Sequence, residues 1–104
     1  MRAKRFSLVV GGCVALVALS GVEASAQQSA EAQRAVLDQY CVRCHNARLT
    51  SGKLRLDNAD VTAVGEHGEV WEKVVRKLRG GVMPPPGKPR PEPAAYEALT
   101  SWVE

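Results

Sequence analysis

The stretch Cys41-Val42-Arg43-Cys44-His45 contains two cysteines three residues apart, followed directly by a histidine. At helical pitch the two thiols lie on one face about a turn apart, and the imidazole of the next residue is rotated toward the same group. C-x-x-C-H is the attachment signature of c-type haem, in which each thiol adds to one vinyl group and the imidazole binds the iron. The motif therefore predicts one covalently attached haem c per chain, bound by Cys41, Cys44 and His45.

The residues alone do not exclude other uses of the two cysteines. A thioredoxin-like C-x-x-C needs a βαβ context, which the sequence does not show. A zinc site needs two further ligands, and outside the motif the residues after position 26 offer only His67 and acidic groups. A plain disulfide between Cys41 and Cys44 would not require His45 beside it.

The N-terminal stretch has the layout of a secretory signal. Three basic residues precede an apolar run from Phe6 to Val22, and Ala24-Ser25-Ala26 supplies a cleavage site. The sequence thus predicts a signal peptide at 1–26 and one domain at 27–104. We expect an exported protein, located in the periplasm or the outer cell envelope, where thiols are managed for such attachment. We expect the protein to be attached to a membrane only if the signal is retained as an anchor.

The charge and size of the 78 residues after the signal limit the possible functions. Without Arg2, Lys4, Arg5 and Glu23 the chain keeps 11 basic and 10 acidic residues, a net charge of +1. This balance does not suggest a nucleic-acid partner. A chain of this size rarely buries enough apolar surface without a covalent or metal staple, which the haem would provide.

Apolar spacing predicts three helices and no long element between the first two. The first covers Ser29 to Tyr40, with Ser29 as N-cap. Its predicted apolar stripe consists of Ala32, Ala35, Val36 and Tyr40. From Asn46 to Gly65 we expect a loop whose Leu54 and Leu56 point inward.

The second and third helices lie in the other half of the chain. The second is predicted from about Glu66 to Arg79 and ends at Gly80-Gly81. Its apolar face consists of Val70, Trp71, Val74, Val75 and Leu78. Its basic residues Lys73, Arg76, Lys77 and Arg79 form a solvated face, or one that steers an acidic redox partner. The third helix is predicted from about Pro93 to Glu104, with Tyr96, Leu99 and either Trp102 or Val103 inward.

The segment between these helices carries the candidate for the second axial ligand of the iron. All six prolines of the chain lie between Val82 and Pro93, a segment we call the proline strap. They exclude a helix there and leave Met83 near its start. A thioether favours ferrous iron, so we predict Met83 as the distal ligand. Filling the core is the alternative role for Met83, and His67 is the rival ligand.

Four segments in this order resemble the planctomycete-type cytochrome c domain: Tyr40–Asn46, Leu54–Asp57, Val70–Val74 and Met83–Pro85. The resemblance covers most of residues 30–104. It implies an all-α domain of about three helices around one covalently bound haem, with electron transfer as its role. It also implies that Cys41, Cys44 and His45 bind the haem and that Met83 is an axial ligand. Members of that family usually continue into large downstream domains, so a second expectation is that this domain is the N-terminal part of a larger protein.

The expected function is therefore electron transfer between redox partner proteins, with no catalytic residues. An alternative is a haem-based peroxidase or gas sensor in which the distal ligand is displaceable, and carbon monoxide binding would distinguish it. A second alternative is a docking module that uses the prolines from Pro84 to Pro93. Such a module would survive replacement of Cys41 and Cys44, whereas an electron carrier would not.

Overall fold

The computed structural model describes residues 29–104, which form three α-helices and no β-strand within that range. The helices are α1 (Ala30–Tyr40), α2 (Gly68–Arg79) and α3 (Pro93–Val103). Helix α3 packs against both α1 and α2. The all-α prediction is confirmed, while the predicted signal peptide at 1–26 lies outside the described residues. No helix of the described part is long and apolar enough to cross a membrane.

Helix α1 begins as predicted but buries a different stripe. Ser29 accepts a hydrogen bond from Ala32 N at 3.1 Å, which satisfies one of the free N–H groups of the first turn. The buried residues are Gln33 and Leu37, whereas Ala35 is exposed. The predicted stripe is wrong in this respect, because its small alanines contribute less to burial than the Leu37 side chain, which is fully buried.

Helix α2 starts two residues later than predicted and follows a 3₁₀ turn at Val64–His67. Its apolar face is confirmed: Trp71, Val74 and Leu78 are buried in the core. The end of the helix is a Schellman motif, in which Val82 N donates to Lys77 O at 3.2 Å and Gly81 N to Leu78 O at 3.0 Å. Gly81 adopts φ +68°, a left-handed conformation that glycine adopts without steric cost.

The core joins all three helices and the loop between α1 and α2. It contains Leu37, Leu56, Val61, Trp71, Val74, Leu78, Leu99 and Val103. The prediction that Leu54 and Leu56 point inward is confirmed for Leu56, which is buried, and Leu54 is half-buried against the same core. The buried Thr100 of α3 donates to Tyr96 O at 2.8 Å, so its hydroxyl is satisfied inside the helix.

Candidate functional site: the C-x-x-C-H turn and the proline strap

The C-x-x-C-H motif directly continues the last turn of α1. Cys41 N and Val42 N both donate to Leu37 O, at 2.9 and 3.0 Å. His45 N then donates to Cys41 O at 3.0 Å, the i to i−4 pattern of an α-helical turn. The structure therefore brings Cys41, Cys44 and His45 onto one turn, which is anchored to the core through Leu37.

Asn46 closes this turn on its far side. Its Nδ2 donates to Val42 O at 2.7 Å and to Arg43 O at 3.2 Å, while its Oδ1 accepts from Arg48 N and Leu49 N, both at 3.0 Å. The amide thus uses both of its ends on the backbone around the motif. In the sequence Asn46 belongs to one of the segments that carry the family resemblance, and no role is predicted for it. Spacing alone does not reveal that a side chain binds the backbone of its own neighbours.

The loop after the motif is also tied to it and to α1. Leu56 N donates to His45 O at 2.9 Å. Arg34 of α1 reaches the same loop, donating to Leu56 O and Ala59 O, each at 2.9 Å. Asp38, one turn further along α1, accepts from the same guanidinium. These bonds hold the polypeptide on either side of His45 in place.

The two thiols are free and differ in their surroundings. Cys44 is exposed, whereas Cys41 is half-buried against the core. Burial raises the pKa of the Cys41 thiol to about 11, against the opposing effect of the nearby Arg34 charge and with a smaller contribution from Cys44. At neutral pH Cys41 is therefore a protonated thiol, and Cys44 is the more accessible of the pair.

Met83 is placed by other elements than the motif turn. It follows the Schellman motif at the end of α2 by one residue, and its side chain is half-buried. Its backbone carbonyl accepts a hydrogen bond of 2.7 Å from the hydroxyl of Tyr96 on α3. His67, the rival ligand in the sequence, is exposed at the end of the 3₁₀ turn before α2.

The open cleft of about 490 Å³ between α2 and the end of α3 is separate from these residues. Trp71, Val75 and Val103 are among its lining residues, and none of the predicted haem-binding residues is. The indole nitrogen of Trp71 is buried and has no hydrogen-bond partner among the described residues. We have no physical account of this unpaired donor.

The residues of the motif and the strap fit a haem group. Two free thiols, an imidazole and a thioether are the donors that c-type attachment and axial ligation require. The large hydrophobic side chains that the described part leaves exposed are Leu49, at 53%, and Val82, at 49%. Leu49 follows His45 by four residues and Val82 precedes Met83, so apolar surface is exposed next to both predicted iron ligands. The Nδ1 atom of His45 is buried without a partner, so His45 is not held by a hydrogen bond at that atom.

A small three-helix domain with a C-x-x-C-H turn after its first helix has the features of a cytochrome c domain. The comparison with family models agrees, since residues 41–87 match the family described as Planctomycete cytochrome C. The predicted resemblance to that family is therefore confirmed over residues 41–87. Neither a curated protein nor a solved structure matches the chain.

Proposed function

We propose that the chain is an exported electron carrier with one haem c, attached through Cys41 and Cys44. Membership of the cytochrome c family implies haem-based electron transfer as the general role. The observation that carries the more specific proposal is the hydrogen bond from His45 N to Cys41 O at 3.0 Å. It gives the motif the helical turn in which the two thiols and the imidazole can act on one group.

In this proposal His45 and Met83 would hold the haem iron, and Cys41 and Cys44 would attach the haem. The haem iron, when bound, supplies a reversible one-electron couple between the ferric and ferrous states. The chain's own residues hold that couple in place. Asn46 and Leu56 fix the backbone around His45, and the side chain of Leu49 can cover apolar macrocycle surface.

Export and a protein redox partner belong to the same proposal. The layout of residues 1–26 supports export to the periplasm or the outer cell envelope. With His45 and Met83 both holding the iron, the domain would do no bond chemistry and would exchange electrons with partner proteins. The exposed bases Lys73, Arg76 and Lys77 of α2 offer such a partner a positively charged face.

The test is a spectroelectrochemical titration of the exported, haem-loaded protein, followed by addition of carbon monoxide to the ferrous form. We expect a single reversible one-electron wave, a six-coordinate spectrum in both states and slow, weak binding of carbon monoxide. A Met83→Ala variant, in which the distal position is open, serves as the positive control for carbon monoxide binding. Rapid carbon monoxide binding by the unmodified protein would contradict the electron-carrier proposal and favour the peroxidase or gas-sensor alternative.

A further inference from the structure

Past Val82, whose N–H donates to Lys77 O at 3.2 Å, the proline strap has few backbone donors of its own. Six of its residues are prolines, which have no N–H group to donate. The hydrogen bond from Lys88 N to Pro85 O, at 3.1 Å, stays within the strap and ties it to nothing else. The strap carbonyls nearest Met83 therefore depend on side-chain donors, and two side chains supply them, Tyr96 from α3 and Arg90 from within the strap.

Tyr96 is the first of these donors and joins three elements. Its hydroxyl lies 2.7 Å from Met83 O in the strap and 2.9 Å from Leu78 O near the end of α2. Because the phenol has one hydrogen, the two carbonyls share it. The backbone of Tyr96 is itself fixed in α3, since Thr100 Oγ1 donates to Tyr96 O at 2.8 Å. The Met83 backbone is thus tied to both packed helices through one side-chain oxygen.

Arg90 is the second donor and is coupled to the first. Its Nη1 donates to Pro84 O at 2.7 Å, on the residue after Met83. Its guanidinium carbon also lies 5.1 Å from the centroid of the Tyr96 ring, within the range of a cation–π contact. The two donors therefore support each other while they hold adjacent carbonyls.

We infer that Tyr96, supported by Arg90, is the positioning residue that keeps Met83 in place as the distal ligand. This inference rests on the proposed ligation of the iron by Met83. A thioether is a soft ligand that favours ferrous over ferric iron, so an added ligand such as imidazole competes with it for ferric iron. Holding the Met83 backbone in its bound position lowers the entropy that ligation costs, and so favours Met83 over the competitor.

The test is an imidazole titration of the ferric, haem-loaded protein, read from the sulfur-to-iron charge-transfer absorption that methionine ligation produces. Tyr96→Phe removes one oxygen and keeps the ring. We expect the imidazole concentration that displaces half of Met83 to fall roughly two- to tenfold, as the loss of one hydrogen bond predicts. The matched control is Trp102→Phe, which removes another side chain–backbone bond from α3, that from Nε1 to Val61 O at 2.8 Å. We expect no shift in that control.

The outcomes separate this inference from the proposed function. In one outcome the absorption band is present in the unmodified protein and lost in Met83→Ala, which supports Met83 ligation. If Tyr96→Phe then resists imidazole as well as the unmodified protein does, the positioning role alone is overturned. An equal shift in Trp102→Phe does the same. A band that is missing from the unmodified protein, or that survives in Met83→Ala, overturns Met83 ligation and the positioning role with it. If Tyr96→Phe yields no folded protein, Arg90→Gln decides: weaker resistance to imidazole supports the inference, and unchanged resistance overturns it.

Discussion

The side chain of Asn46 donates a 2.7 Å hydrogen bond to the carbonyl oxygen of Val42, which lies inside the C-x-x-C-H motif. With its further bonds to Arg43 O, Arg48 N and Leu49 N, the amide links the motif turn to the chain that follows it. A side chain that satisfies four backbone groups contributes more to stability than one directed into solvent. The backbone geometry around both thiols and the imidazole therefore depends on a residue outside the predicted haem-binding set.

Replacing Asn46 by alanine should destabilise the haem-loaded protein by about 1–3 kcal/mol, since one half-buried and three exposed backbone groups lose their partner. Urea denaturation followed by circular dichroism measures this. The matched control is Asn58→Ala, an exposed asparagine in the same loop, with an expected change within about 0.5 kcal/mol. Equal midpoints for both variants would show that Asn46 does not stabilise the turn.

Arg34 should contribute more to the free energy of unfolding than its partner Asp38. Arg34→Ala removes both bonds to the carbonyls of Leu56 and Ala59, and we expect it to cost about 1–3 kcal/mol. Asp38→Asn leaves those bonds in place, and its salt bridge is largely solvated, so we expect a cost below about 1 kcal/mol. The free energies of unfolding of the two variants test this order, and a larger loss for Asp38→Asn would contradict it.

Leu37 should be among the most sensitive core positions, because its side chain is fully buried and its carbonyl anchors the motif turn. Leu37→Ala leaves a cavity and is expected to lower the free energy of unfolding by about 2–5 kcal/mol. Val36→Ala, at the half-buried neighbour, is the control and should cost clearly less. Thermal or urea unfolding distinguishes them, and equal losses would contradict the burial that the structure assigns to Leu37.

The two ion pairs of Arg79, with Glu97 and with Glu104, should make stability depend on pH in the acid range. Hydrogen bonds from Arg79 lower the pKa of both carboxyls below their usual value of 4.5. A lowered folded-state pKa gives stability that is present above the usual value and is lost as pH falls through the lowered one. The urea midpoint of the unmodified protein should therefore exceed that of Arg79→Gln at pH 6, and the difference should vanish toward pH ~2.

The control for that comparison is Lys77→Gln, which removes an exposed base of α2 for which the structure shows no ion pair among the described residues. Its difference from the unmodified protein should stay nearly constant over the same pH range. An Arg79→Gln difference that also stays constant would mean that the ion pairs to α3 do not form in solution.

The helices and the haem-attachment motif could be predicted because each depends on local sequence. Ser29 caps α1 and Gly81 ends α2 through backbone preferences that any chain of that sequence carries. The buried stripe of α1 could not be predicted correctly, since its burial depends on how α3 packs across it. For that reason the polar Gln33 is buried while Ala35 is exposed.

The residues that hold the site together were also beyond sequence reasoning. Arg34 and Tyr96 act on carbonyls that lie 22 and 13 residues away in the chain, and no spacing rule connects such pairs. One signal was available: carbonyls in a run of prolines need donors other than the backbone of that run, which directs attention to Tyr96 after the proline strap and to Arg90 within it. The predicted roles of Cys41, Cys44, His45 and Met83 in haem binding stay predictions.

Acid–organic extraction of the exported protein tests whether Cys41 and Cys44 carry covalent haem. The protein is made in cells competent for cytochrome c maturation. A reduced-minus-oxidised absorption spectrum is recorded before and after extraction, with a Cys41→Ser, Cys44→Ser double variant as control. We expect haem to resist extraction from the unmodified chain, to give a six-coordinate low-spin ferrous spectrum, and to be lost from the double variant. Normal export of a chain without covalent haem would contradict this expectation.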